Sequence, residues 1–169
     1  MVFEGGEVAF STVDLPRLYA SDNAYTQSYI DKLKDGLADY SAAAFVDYFQ
    51  SAEFQDDLIV YLVPTDDDFQ LIAGEIATQV DFRGARPLVH QKPSDELIAE
   101  FEAVETDNTR HLVIKTRKGA LWPVIRDRLP WEDISIGFQC RIDRKPDVYN
   151  SDFWFHFTNV HIGKLLEPA

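Results

Sequence analysis

Four histidines, His90, His111, His156 and His161, are the side chains of this 169-residue chain best able to ligate a metal or carry a proton. A metal site needs several of them gathered with carboxylates. One local pairing offers this: on a helix over residues 151–160, Asp152 and His156 stand at i and i+4, on one face and within reach of one ion. No second ligand pair of recognisable spacing accompanies it, so the expectation is no metal and a surface or hydrogen-bonded histidine. Asp66-Asp67-Asp68 and Glu132-Asp133 concentrate carboxylates, yet neither has the spaced oxygens of a calcium loop, and both read as solvated turns. No nucleophile elbow, phosphate-binding loop, dinucleotide glycine pattern or kinase signature occurs. The single cysteine, Cys140, falls on a predicted strand face with Phe138 and Ile142, where a small buried thiol is the expected state. The sequence thus names no catalytic residue and calls for no cofactor. An enzyme would require a polar cleft of clustered histidines and carboxylates.

What remains distinctive is aromatic: Trp122, Trp131, Phe138, Tyr149, Phe153, Trp154, Phe155 and Phe157 crowd the C-terminal third. Such rings either fill a core or line an apolar cavity, and the sequence leaves both open. Trp122, Trp131, Phe138, Phe153, Trp154 and Phe157 are the candidate ligand-binding residues, expected to meet over one sheet face. Their ligand class is a hydrophobic or amphipathic small molecule.

Charge and composition restrict the partners further. Lys and Arg number 16 against 29 Asp and Glu, a net charge of −13 that opposes phosphate backbones and excludes nucleic acid. One cysteine makes no internal disulfide, which points to a cytoplasmic protein. No apolar run approaches the roughly 18 to 20 residues of a membrane-spanning helix, and residues 1–10 lack the pattern of a signal peptide, so a soluble protein without integral membrane contact is expected.

The elements that must position these residues follow from periodicity. Residues 1–20 show no period long enough to fix a helix or strand and read as an irregular arm. Tyr25, Tyr29, Ile30, Leu33 and Leu37 recur at helical spacing, and Phe45, Tyr48 and Phe49 continue or follow that helix. The β-branched run before Pro64 and the alternation from Leu71 to Phe82 predict a hairpin about the Asp66–Asp68 turn. Leu88 to Gln91 adds a short strand, Ser94 N-caps a helix carrying Leu97, Ile98 and Phe101, and residues 111–116 form another strand. Ala120 to Leu129 is helical with Pro123 in its first turn, and Trp131 to Ile136 make a further turn. Phe138, Cys140 and Ile142 alternate as a strand; Asn150 and Ser151, as caps, favour a helix for the Phe153–Phe157 segment. The result is an α+β fold: an antiparallel-dominated sheet of four or five strands with helices on one face. Residues 1–56 supply an arm and aromatic amphipathic helices, residues 57–169 the α+β portion, within one compact domain.

The order of elements from 57 to 160 resembles a sterol-carrier-protein-type domain. The stretch that carries the likeness is Leu112-Val-Ile-Lys-Thr-Arg-Lys-Gly-Ala-Leu-Trp-Pro-Val-Ile-Arg-Asp-Arg-Leu-Pro-Trp-Glu-Asp-Ile-Ser-Ile-Gly-Phe-Gln-Cys-Arg-Ile142, a strand, an apolar helix, an acidic turn and a Gly-led strand. Residues Arg144 to Asn150 look like the version of this domain appended to some metallo-β-lactamase-fold hydrolases and hydroxylases. The resemblance implies an apolar tunnel between helices and sheet, or a dimer and substrate-positioning surface, in an accessory part of a larger enzyme. Two functions therefore stand: a noncatalytic binding module for a hydrophobic or amphipathic small molecule, or a homodimerisation or protein-interaction domain without a ligand. An enclosed apolar cavity favours the first; a solid core with an exposed aromatic patch favours the second. On the cavity reading, replacing Trp154 by alanine costs affinity for a hydrophobic probe as well as stability.

Overall fold

The computed structural model describes residues 2–4, 7–9, 37–105, 109–136 and 139–160. Residues 22–36 of the predicted first helix, Phe138 and His161 lie outside them. The chain forms two compact units, Met1–Ala38 and Asp39–Ala169. In the first, β1 (Val2–Glu4) and β2 (Glu7–Ala9) pair antiparallel, Phe3 opposite Val8, so the expected irregular arm contains a small hairpin. Three residues a side are too few for periodicity to announce.

The second unit contains α1 (Ala42–Gln50), β3 (Leu58–Thr65), β4 (Ile76–Asp81), β5 (Leu88–Pro93), α2 (Ser94–Ala103), β6 (Arg110–Arg117), α3 (Lys118–Arg126), α4 (Glu132–Ser135), β7 (Cys140–Lys145) and α5 (Ser151–Asn159). The five strands lie in the order β5-β4-β3-β6-β7. Every pairing is antiparallel except the central one, where β3 runs parallel to β6 with Leu58 beside Arg110 and Leu62 beside Ile114. The α+β class and the mostly antiparallel five-stranded sheet are thus as the sequence indicates.

β3 is buried along its whole length, which is why its sequence is a continuous apolar run instead of an alternation. Ile59, Tyr61 and Val63 pack with Ala77, Val113 and the α2 residues Leu97 and Phe101. The intervening Leu58, Val60 and Leu62 turn to the opposite face, also fully buried. That face carries the aromatic layer: Phe82, next after β4, meets rings from Phe49, Phe54, Phe153 and Phe157. The aromatic helices therefore cover one face and α2 part of the other, so the helices do not all lie on one face as the sequence suggests, because β3 is apolar on both sides.

Three local departures have clear causes. The return strand begins at Ile76 and not at Leu71, because Gly74 takes φ +74°, a left-handed conformation that interrupts an extended strand. Ser94 is the first helical residue instead of the cap: β5 runs directly into α2, Pro93 precedes the helix, and Ser94 Oγ donates to the Glu75 carbonyl at 3.0 Å. Likewise β6 runs directly into α3, which starts at Lys118 and leaves Pro123 inside the helix beyond its first turn. The acidic turn is held by its own chemistry, Asp66 Oδ1 accepting the amides of Asp68 and Gln70 at 2.9 and 2.8 Å.

At the end of β4, Arg83 donates through its side chain (Nε, 2.9 Å; Nη2, 2.7 Å) and its backbone amide (3.0 Å) to Asp81. These bonds hold the Asp81 carboxyl below the usual carboxylate range. A folded-state value below the unfolded one stabilises the fold above about pH 4 and is lost as pH falls through the lowered value. Replacing Arg83 by alanine should return Asp81 toward the ordinary range in a carboxyl NMR titration; an unchanged midpoint would refute this cause.

Candidate functional site

The predicted aromatic residues divide between two places. Trp131, Phe153, Trp154 and Phe157 converge, with ring centroids 4.7 Å apart for Phe153 and Phe157, 5.5 Å for Trp131 and Phe153, and 6.3 Å for Trp131 and Trp154. The α5 spacing explains the meeting: Phe153, Trp154 and Phe157 fall on one helical face and are the buried residues of that helix. Trp131, at the start of α4, is wholly buried among them, and its indole N–H donates to the Tyr48 hydroxyl at 2.7 Å. Burial raises the Tyr48 hydroxyl pKa well above its ordinary value, and the Trp131 bond offsets only part of that. Tyr48, Phe49 and Phe54 complete the layer from the N-terminal side.

Trp122 does not join this group. It packs against Tyr40 and Phe45, at centroid distances of 5.1 and 6.4 Å, and its indole N–H donates to Asp39 Oδ1 at 2.9 Å. That bond is the main reason the Asp39 carboxyl titrates below its ordinary value. Proline inside α3 and a helix start two residues early were not legible in the period of Leu121, Val124 and Ile125.

Described residues of the second unit line open grooves, two of which concern these side chains. One, of about 360 Å3, is lined by Ile136, Tyr149, Trp154 and Phe155 with Glu132, Ser135, Ser151, Thr158 and Asn159. Its apolar residues are solvent-facing: Ile136 is 70%, Tyr149 63% and Phe155 75% exposed. Trp154 contributes a buried indole N–H that has no hydrogen-bond partner. Trp131, Phe153 and Phe157 line neither groove. The second, of about 510 Å3, lies between α2 and β7. Sequence reasoning grouped Tyr149 and Phe155 with the aromatic surplus but not with the candidate site. A position off the buried face of α5 is the signal that sets Phe155 apart, while Tyr149 precedes the helix.

The histidines that were candidates for metal or proton chemistry have other work. His156 Nε2 donates to the Ala52 carbonyl at 2.6 Å, and His111 Nδ1 lies 3.0 Å from the Tyr61 hydroxyl in a buried contact under α2. Among the described residues no group of three His, Cys, Asp or Glu side chains is placed to hold a metal ion. Burial raises the Cys140 thiol pKa, which keeps it from ionising. No helix of the described residues is long and apolar enough to cross a membrane.

No protein-family model and no solved structure matches the chain. Among curated proteins, it is 35% identical over 112 residues to cytidine monophosphate-N-acetylneuraminic acid hydroxylase of Sus scrofa, covering 66% of this chain and 23% of that protein. It is 30% identical over 135 residues to the inactive cytidine monophosphate-N-acetylneuraminic acid hydroxylase of Homo sapiens, covering 78% of this chain and 24% of that protein. For the Danio rerio hydroxylase the figures are 33% over 111 residues, 65% of this chain and 17% of that protein. The chain therefore spans about a quarter or less of the length of these relatives.

Proposed function

We propose that this chain is a noncatalytic accessory module of an enzyme of the cytidine monophosphate-N-acetylneuraminic acid hydroxylase kind, and that it works through protein contact in the cytoplasm. The observation that carries the reading is the contrast between its two aromatic populations. Trp131, Phe153 and Phe157 are spent ring against ring in the core, while Ile136, Tyr149 and Phe155 stand exposed around one groove. Exposed apolar residues gathered in this way mark an interaction surface. A second copy of the chain is the occupant. Among the described residues lining the groove of a protein of net charge −13, Glu132 is the one that is charged, so two copies approach there with little repulsion. A two-fold contact seats Phe155 of each copy in the groove of the other. The relatives' names support a hydroxylase context.

Sedimentation velocity tests the contact. The wild type should pass from monomer to dimer with rising concentration, and Phe155→Asp should stay monomeric with an unchanged melting curve. A wild type that remains monomeric up to millimolar concentration would end the reading. The second reading, an amphipathic small molecule in the same groove, is favoured by the unpartnered indole N–H of Trp154, which an acceptor group of a ligand would satisfy. Saturable binding of a fluorescent fatty-acid analogue to the wild type, weakened by Phe155→Asp, would put it first.

A further inference from the structure

We propose that Arg117 and Arg141, gathered on the Phe69 ring, form an anion site that takes the phosphate group of a small phosphate monoester. The guanidiniums come from neighbouring strands. Lys115 of β6 stands opposite Arg141 of β7, and Arg117, two residues further on, shares their face of the sheet. Val113 of the same strand face packs with α2, so the site lies on the side opposite the aromatic layer and apart from the Ile136–Phe155 groove. Phe69 reaches this face because Thr65, at the end of β3, pairs with Arg117, and the acidic turn that follows is tied to β6 by the bond from Arg117 Nε to the Asp67 carbonyl at 3.0 Å. The guanidinium carbons of Arg117 and Arg141 lie 4.6 and 4.0 Å from the centre of the half-buried ring, so the two are no farther apart than those distances laid end to end. Phe69 itself holds φ +61°, a left-handed conformation costly for a bulky side chain, and backbone outliers of this kind gather at ligand clamps.

Neither guanidinium is neutralised. Arg83, Arg110, Arg126, Arg128 and Arg144 each have a carboxylate within ion-pair distance, whereas Arg117 and Arg141 have none among the described residues, in a chain with 29 Asp and Glu. Neutral acceptors fix them instead: besides the Asp67 carbonyl, Arg117 Nη1 donates to Gln139 Oε1 at 2.7 Å, and Arg141 Nη1 donates to the Cys140 carbonyl at 3.1 Å. The Nη2 group of each, and Nε of Arg141, are left to donate to a ligand from positions already set. The neighbouring charges are spent elsewhere, since Asp66 Oδ1 accepts amides of its own turn and Lys115 meets Asp143 at 3.3 Å. Two uncompensated positive charges match the near-double negative charge of a phosphate monoester at neutral pH, and its three acceptor oxygens serve both guanidiniums; a carboxylate offers one charge and two oxygens. A net charge of −13 repels in proportion to the charge that approaches, which turns away a polyanion and hinders a small dianion far less.

NMR titration of the isotope-labelled full chain with glycerol phosphate, acetate and a blocked phosphoserine tripeptide, at matched ionic strength, tests the site. Glycerol phosphate should shift the amide signals of Phe69 and the guanidinium signals of Arg117 and Arg141 saturably, with half-saturation below about 5 mM. Acetate should bind at least about tenfold more weakly. Arg141→Gln, at an exposed position, should weaken glycerol phosphate at least about tenfold with an unchanged melting curve, while Arg86→Gln, at another exposed arginine, should alter it less than about twofold. No saturation by about 20 mM overturns the proposal, as does an Arg141→Gln variant that binds like the wild type. Equal affinity for acetate overturns the assignment to phosphate, and equal weakening by Arg86→Gln reduces the effect to diffuse charge. A phosphoserine peptide bound about tenfold more tightly than glycerol phosphate overturns the small molecule in favour of a phosphoprotein. Shifts confined to the Ile136–Phe155 groove overturn the location.

Discussion

Trp131→Ala should destabilise the protein by about 3 to 5 kcal/mol, as expected for deletion of a fully buried tryptophan. The indole is completely enclosed and touches the rings of Tyr48, Phe49, Phe153, Trp154 and Phe157. Its removal also strips the Tyr48 hydroxyl of a 2.7 Å donor. Trp131→Phe separates the two effects: it keeps most of the ring contact and loses the bond, so its cost should stay near 1 to 3 kcal/mol. Trp154→Ala should cost less than Trp131→Ala, because Trp154 lines an open groove and its N–H satisfies no partner that would then be orphaned. Urea unfolding of the three variants gives the order directly. Equal costs for the two alanine variants would mean that Trp131 is not the centre of the layer.

The second large effect is expected at Lys145, a residue that composition alone marks as surface. Its ammonium donates to the carbonyls of Phe101, Glu102 and Val104 at 2.9, 2.8 and 3.2 Å, and lies 5.0 Å from the centre of the Phe101 ring. Helix ends leave their last carbonyls without intrahelical partners, and a cation there also complements the helix dipole. α2 has no basic residue in its own last turn, so β7 provides the cap from across the fold. Lys145→Met keeps the aliphatic stem and removes the charge, and should lower stability by about 2 to 3 kcal/mol. It should also speed amide exchange in α2 more than in α5. A loss below about 0.5 kcal/mol, the size of an ordinary surface substitution, would show that water replaces the ammonium at no cost.

The strands were legible wherever burial imposes a pattern. β3 reads as an unbroken apolar run because both of its faces are covered, and Phe45, Tyr48 and Phe49 mark α1 because one face is. α5 was legible for a reason other than its caps. The Asn150 side chain makes no cap bond and its Oδ1 is buried without a partner, while Phe153, Trp154 and Phe157 bury the helix face that decides the matter. Trp131, expected at a turn and to meet those rings over one sheet face, does meet them, although no periodicity placed it there. The direction of β6 was not legible, because a parallel neighbour is chosen by the crossover and not by the residues of the strand. Nor was the separation of Trp122, which packs with Tyr40 and Phe45, or the groove beside α2, which no single segment encodes.

The parallel pairing of β3 with β6 also sets an order of assembly. β3, β4 and β5 are joined by short connections and pair with their sequence neighbours, so they can associate as soon as residue 93 is available. Leu58 cannot meet Arg110 until the hairpin, β5 and α2 have all been passed, and closing that long loop has an entropic cost that no local contact offsets. During synthesis the inner edge of β3 therefore waits, apolar and unpaired, until β6 emerges. Its eight residues, Leu-Ile-Val-Tyr-Leu-Val-Pro-Thr, form in that interval the segment of the chain most open to pairing with the wrong partner. Pro64, which offers no amide donor, shortens the ladder that such an encounter could build.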